Sequence, residues 1–130
     1  MIILAIRTDK PEAEIGLFVS HTRLAYKKWE AHRQLSETIH VNIHKMLKEL
    51  GKNWKNIEGV VFFKGPGSFT GLRIGATVAN TLAQELEIPI IGSTGDEWVE
   101  KGIEQLSQGE TDKIVTPDYG RDPHITVQKK

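Results

Sequence analysis

Two short runs, Ile2–Ile6 and Val60–Phe63, carry an apolar side chain at every position. Strand side chains alternate between two faces, so runs of this kind must be covered on both. The pair therefore predicts central strands of a sheet with helices on either side. A length of 130 residues with 38% hydrophobic side chains suits one domain with a single sizeable core. Ile2–Ile6 is too short for a signal peptide or a membrane span, which points to a soluble, cytoplasmic protein. The lack of cysteine excludes disulfides, thiolate nucleophiles and zinc ribbons.

The remaining elements follow from period and punctuation. Glu14–Ser20 and Arg23–Trp29 read as strands of a hairpin turning at His21-Thr22. Gln34–Leu50 reads as a helix: Leu35, Ile39, Ile43, Met46, Leu47 and Leu50 form one stripe, and Gly51 sits where a glycine ends a helix. Ile57–Lys64 is a strand broken by Gly65-Pro66-Gly67, and a helix follows from about Ser68 to Leu86. Ile88–Ile91 is a short strand, and Thr94-x-x-Glu97 is a capping box opening a helix to about Leu106. Residues 1–106 thus form one domain. Residues 107–130, with Thr116-Pro117 and Asp122-Pro123, read as an extended or partly disordered tail. The order β-β-β-α-β-α-β-α implies a mixed sheet with a right-handed crossover.

Lys+Arg and Asp+Glu balance at 17 each, which argues against a dedicated electrostatic nucleic-acid binder. The charges are unevenly spread: residues 1–84 carry a net +5 and residues 85–112 a net −7. A solvated acidic helix explains this better than a complementary partner does. His40 and His44 have the i, i+4 spacing of a metal pair. They lie off the apolar stripe and lack the Glu of His-Glu-x-x-His, so they read as surface histidines. His21, His32 and His124 complete no Ser/Asp arrangement. Trp29, Trp54 and Trp98 stand singly and read as packing residues. No catalytic residue and no metal site is expected.

The strongest signal is Gly65-Pro66-Gly67-Ser68-Phe69-Thr70-Gly71-Leu72-Arg73-Ile74-Gly75, which leaves a buried strand and enters a helix. Its glycines permit close backbone approach, and Ser68 suits an N-cap. Free amides at a helix start favour anions, so Gly65, Gly67, Ser68, Phe69, Thr70 and Arg73 are a candidate anion or nucleotide loop. A plain tight turn explains the same residues. The Lys-Ser/Thr of a Walker A loop is absent, as is GxGxxG. Within the helix, Gly71, Gly75, Ala79 and Ala83 recur every four residues, a stripe of small side chains open to another helix. With Leu72, and with Ile39 and Ile43 of the preceding helix, this stripe is the expected partner interface. The alternative is packing against the domain's own sheet.

The run GPGSFTGLRIG, between a buried strand and an alanine-rich helix, resembles the signature of the TsaB/YeaZ family. The similarity of order extends over about residues 1–106, and Pro117-Asp118-Tyr119-Gly120-Arg121 resembles the family's C-terminal Pro-x-Tyr-x-Arg segment. About ten residues stand where family members have a second domain, so the resemblance implies a reduced form. It implies an α/β, RNase-H-like domain, the N-terminal half of an actin-like ATPase (ASKHA) fold. Its five-stranded mixed sheet has order 3-2-1-4-5 and helices on both faces. It also implies a non-catalytic scaffold subunit in the synthesis of N6-threonylcarbamoyladenosine beside the tRNA anticodon. Such a subunit pairs through its helices with a TsaD-like catalytic subunit, supports a TsaE-like ATPase, homodimerises through the same surface and meets tRNA only indirectly. The older glycoprotease label of the wider family finds no support in this chain. In such an assembly the excess of Lys45, Lys48, Lys52, Lys55 and Lys64 over Glu49 and Glu58 suits either tRNA phosphates or a solvated face.

One departure bears on chemistry. Catalytic members of the fold end their first strand in an Asp that helps hold the nucleotide's metal, within Asp-Thr-Ser. This chain has Arg7-Thr8-Asp9. A cation at position 7 repels Mg²⁺, so no independently bound cofactor is expected, with ATP or ADP entering only at a partner interface. Two other readings compete. One is a small stand-alone phosphotransferase or hydrolase using Gly65–Thr70 and Asp9. The other is a homodimeric binding module.

Overall fold

The computed structural model describes residues 1–119. Strands β1 (Ile2–Arg7), β2 (Glu12–Val19), β3 (Thr22–Glu30), β4 (Gly59–Phe63) and β5 (Ile90–Ser93) form one sheet of order β3-β2-β1-β4-β5. β2 runs antiparallel to β1 and β3, while β4 runs parallel to β1 and β5. The helices are α1 (Leu35–Glu49), α2 (Phe69–Leu86) and α3 (Trp98–Ser107). This is the expected topology.

The doubly apolar runs sort their side chains as strand alternation requires. Leu4, Ile6, Val60 and Phe62 enter the core beneath α1 and α2. Ile3, Ala5, Val61 and Phe63 enter a second core beneath α3, with Trp98 and Ile103. Helices therefore cover both faces, and in register Arg7 lies between Glu14 on β2 and Phe63 on β4.

Local chemistry moves some boundaries. The hairpin turns at Ser20-His21, with Ser20 at φ 53°. β5 begins at Ile90 because Pro89 has no amide to offer; its carbonyl accepts from Val60 N at 3.1 Å. The capping box expected at Thr94-x-x-Glu97 does not form. Gly95 turns the chain at φ 88°, so α3 starts at Trp98 and Glu97 falls at the cap without a side-chain bond.

After α3 the chain is extended but tied down as far as the structure describes it. Thr111 Oγ1 accepts from Ile90 N at 3.0 Å, and Asp112 N donates to Ile90 O at 2.7 Å. The Asp112 carboxylate accepts from Gly92 N at 2.8 Å. The segment thus covers the outer edge of β5, whose backbone groups an edge strand otherwise exposes. Asn80 of α2 donates to Val115 O at 3.0 Å and accepts from Val115 N at 2.8 Å. Asp118 N then donates to Lys64 O at 2.6 Å. The expected features at Gly120-Arg121, Asp122-Pro123 and His124 lie outside the described residues. Among the described residues, no helix is long and apolar enough to cross a membrane.

Replacing Asn80 by Ala strips both backbone atoms of Val115 of their partner. The expected cost is about 2 kcal/mol in urea unfolding. Amide exchange at Val115 should accelerate ahead of global opening, and an unchanged exchange rate there would show that other contacts hold the strap.

Candidate functional site

The glycine-rich junction is built around the end of β1. A Cβ on Gly67 would strike Asp9 Cβ and lie 2.7 Å from Asp9 O. One on Gly71 would strike Thr8 O, and one on Gly75 would strike Thr8 Oγ1 and lie 2.8 Å from Phe62 Cε1. These missing side chains let the start of α2 lie directly on the Thr8–Asp9 backbone. Ser68 N donates to Asp9 O at 2.8 Å, and Thr8 Oγ1 donates to Gly71 O at 2.8 Å. Ser68 caps the helix, its Oγ accepting from Gly71 N at 3.3 Å and its carbonyl from Leu72 N at 2.9 Å. The amides of Ser68, Gly71 and Leu72 are thus engaged within the chain. Packing alone accounts for Gly67 and Ser68 of the candidate anion loop, and for Gly71 of the small-residue stripe beside it. Gly65, at φ 124°, sits under the C-terminal strap, and a Cβ there would strike Asp118 O.

The same geometry corrects the expected interface. Leu72, Ala79, Ile39 and Ile43 are 0% exposed and Ala83 is 4% exposed. Gly75 is buried and Gly71 half-buried against Thr8. Side chains already enclosed by their own chain present no surface to a second one. The stripe Gly71, Gly75, Ala79 and Ala83, with Leu72, Ile39 and Ile43, is an internal seam.

α2 shows solvent a different row: Phe69, Thr70, Arg73 and Thr77, with Ile74 half-buried. Thr70, Arg73, Ile74 and Thr77 join Ser36 and His40 of α1 around a groove of about 370 Å³, with Val78 also lining it. A second groove of about 470 Å³ shares Thr70 and Ile74 and reaches Lys10, Pro11 and Leu35. Phe69 is 55% exposed, stacks on Tyr119 at 4.7 Å between centroids and carries the Arg73 guanidinium 5.2 Å from its ring. Of these residues, the sequence marks Phe69, Thr70 and Arg73 as loop components and Ile74 only as part of the Gly65–Gly75 run. Removing the small-residue row from a helical wheel of α2 would have exposed the set. His40 faces Trp54 at 6.1 Å, and both His40 and His44 are exposed. Trp29 Nε1 donates to Thr38 Oγ1 at 2.9 Å, and Trp98 is buried edge-on to Phe63.

A polar island closes the other side of β1. Arg7 Nε and Nη2 donate to the two oxygens of Asp9 at 2.8 and 3.2 Å, and the guanidinium lies 3.8 Å over the Phe63 ring. Tyr26 crosses Gly16, which has no side chain to obstruct it, and its hydroxyl donates to Glu14 at 2.6 Å. Lys10 Nζ approaches Glu14 at 3.7 Å. Burial works against the charge on Arg7. The bond to Asp9 and the fields of Asp9 and Glu14 outweigh it, and its pKa rises. Burial, and then the bond to Glu14 and its charge, push the Tyr26 phenol well above its ordinary value. A divalent ion at the end of β1 requires carboxylate oxygens free to ligate it. Both oxygens of Asp9 are taken by Arg7, so these residues as they stand do not fit a metal.

Sheet order and layering define the class as an RNase-H-like domain, and solved structures agree. YeaZ from Pseudomonas aeruginosa superposes with a TM-score of 0.67 over 78% of this chain and 50% of its own, at 23% identity. RuvC of Thermus thermophilus does so with a TM-score of 0.52 over 92% and 86%, at 11% identity. At those identities the likeness establishes the fold. Residues 29–94, about half of the chain, match the family described as "TsaD: tRNA N6-adenosine threonylcarbamoyltransferase". The "tRNA threonylcarbamoyladenosine biosynthesis protein TsaB" of Bacillus subtilis is 37% identical over 90 residues, 69% of this chain and 39% of its own length. The chain belongs to the TsaB/YeaZ family. It spans about two-fifths of the length of the curated relatives it matches.

Gly75→Ala tests the internal seam. The new methyl meets Thr8 and Phe62, so the variant should lose about 2 kcal/mol in urea unfolding through overpacking. An unchanged unfolding midpoint would return the stripe to the surface.

Proposed function

We propose that the chain is a non-catalytic scaffold subunit of the cytoplasmic machinery that makes N6-threonylcarbamoyladenosine in tRNA. Its TsaB relatives are named for that biosynthesis. The observation that carries the reading is the open groove between α1 and α2, where a row of exposed side chains flanks half-buried Ile74. Its occupant is a helix pair of a TsaD-like catalytic subunit, itself of a family that matches this chain. Aromatic and arginine side chains such as Phe69 and Arg73 are the types that anchor such contacts. In the absence of that partner a second copy of the chain takes the same face. A TsaE-like ATPase joins the pair, and tRNA is held chiefly by the partner.

Ile74→Arg should leave far-UV circular dichroism unchanged and weaken capture of a TsaD-like protein by at least about tenfold. Gln84→Arg, exposed farther along α2, should not. Retained binding in Ile74→Arg would remove the groove from the interface.

The proposal also holds that nucleotide enters only in the assembly. Calorimetric titration of Mg-ATP into the chain alone should give no binding heat. Micromolar affinity with turnover would make the chain an enzyme in its own right.

A further inference from the structure

Phe69 opens α2 with its ring 55% exposed. A ring in that position keeps its rotamer freedom unless neighbours fix it, and freezing it on binding subtracts from affinity. Two neighbours fix this one. Arg73, one turn on, carries its guanidinium 5.2 Å from the ring centroid. Tyr119, reaching in along the C-terminal strap, stacks on the ring at 4.7 Å with the planes 31° apart.

Tyr119 is itself held. Its side chain is half-buried and packs against the larger core. Just before it, Asp118 N donates to Lys64 O at 2.6 Å, and Asp118 O takes the space where a Cβ on Gly65 would stand. Farther back, Val115 is locked to Asn80 of α2 through both of its backbone polar groups. The strap is thus anchored on α2 and beyond the end of β4 before it lays Tyr119 on the first residue of α2. Nor does Tyr119 act as a cover, since more than half of the Phe69 ring stays exposed with the stack in place.

We propose that Tyr119 is a positioning residue of the α1–α2 docking face: it braces the Phe69 ring, and with it Arg73, in the arrangement that the partner meets. The inference rests on the reading of that groove as the partner interface. Tyr119 supplies order rather than contact area. The ring is fixed before the partner arrives, so association does not bear the cost of fixing it.

The test measures equilibrium binding of the full chain to a TsaD-like protein. The variants are Ile74→Arg, Phe69→Ala, Tyr119→Ala, Tyr119→Phe and Phe69→Ala combined with Tyr119→Ala. Phe69→Ala should weaken binding about tenfold. Tyr119→Ala should weaken it roughly three- to tenfold, while Tyr119→Phe, which keeps the ring, should stay within about twofold of wild type. The double variant should bind within about twofold of Phe69→Ala, because a brace with no ring to hold has no effect. Wild-type binding by Phe69→Ala or Tyr119→Ala, tighter binding by Tyr119→Ala, a Tyr119→Phe as weak as Tyr119→Ala, or full additivity in the double variant would overturn the proposal. If Tyr119→Ala does not fold, Tyr119→Leu, which keeps an apolar side chain on the core, takes its place with the same outcomes. The two readings fail differently. Undiminished binding by Ile74→Arg removes the groove and the brace with it, whereas lost binding by Ile74→Arg beside wild-type binding by Tyr119→Ala overturns the brace alone.

Discussion

The contact on which the rest of the structure depends is the seating of α2 and the loop that enters it on Thr8 and Asp9, just past the end of β1. Three side chains are missing where the helix meets Thr8 and Asp9, at Gly67, Gly71 and Gly75. Protein interiors are close-packed, so a Cβ at Gly67 or Gly71 would press on backbone and one at Gly75 on the buried side chains of Thr8 and Phe62. Moving α2 outward would separate Leu72, Ala76 and Ala79 from the sheet residues Leu4, Ile6 and Phe62 with which they share a core. Attraction between apolar atoms falls steeply over a gap of even half an ångström. α1 leans on α2 through the same core, and the C-terminal strap is pinned to α2 by Asn80. Helix pair, strap and sheet edge therefore inherit their positions from one row of absent methyl groups.

That seating also decides which face of α2 meets solvent. With the small residues turned inward, Phe69, Thr70, Arg73, Ile74 and Thr77 are left outward, beside Ser36 and His40 of α1. Small residues on a helix usually invite a second helix, but here Thr8, just past the end of β1, and the Phe62 ring of β4 fill that place. The solvent-facing row is consequently made of larger and more varied side chains, the composition that specific interfaces favour.

Most of the fold was legible because its signals are local. Val60–Phe63 and Ile2–Ile6 announce doubly covered strands, and the stripe from Leu35 to Leu47 announces α1, since each pattern repeats with the period of its element. What escaped depends on what lies across space. Thr94 and Glu97 have capping-box spacing, yet a glycine turn between them sets the helix start later. The Gly71–Ala83 stripe is compatible with either a partner helix or a strand, and only the position of Thr8 distinguishes them. The strap from Thr111 to Tyr119 has no period at all, because its order comes from hydrogen bonds to Ile90, Gly92, Asn80 and Lys64. The ion pair was half visible: Arg7 and Asp9 are two residues apart, but nothing in the order of residues places Phe63 beneath the guanidinium.

Phe63 explains why a polar island sits at that end of the sheet rather than more apolar side chains. Its ring meets Trp98 edge-on at 5.7 Å and so belongs to the core beneath α3. α3 packs against β4 and β5 and leaves the β2–β3 side of that face to Glu14, Tyr26 and Arg23, with the Arg23 guanidinium 5.4 Å from the Tyr26 ring. The second core therefore ends at Phe63, whose ring meets Trp98 on one side and carries the Arg7 guanidinium. A guanidinium is suited to close such a border, since its flat face packs on an aromatic ring while its edge donates to carboxylates. Arg7 thus joins the apolar layer under α3 to the ionic network of Asp9 and Glu14. The residue that departs most from the resemblance at the end of β1 is also the one that seals the core there.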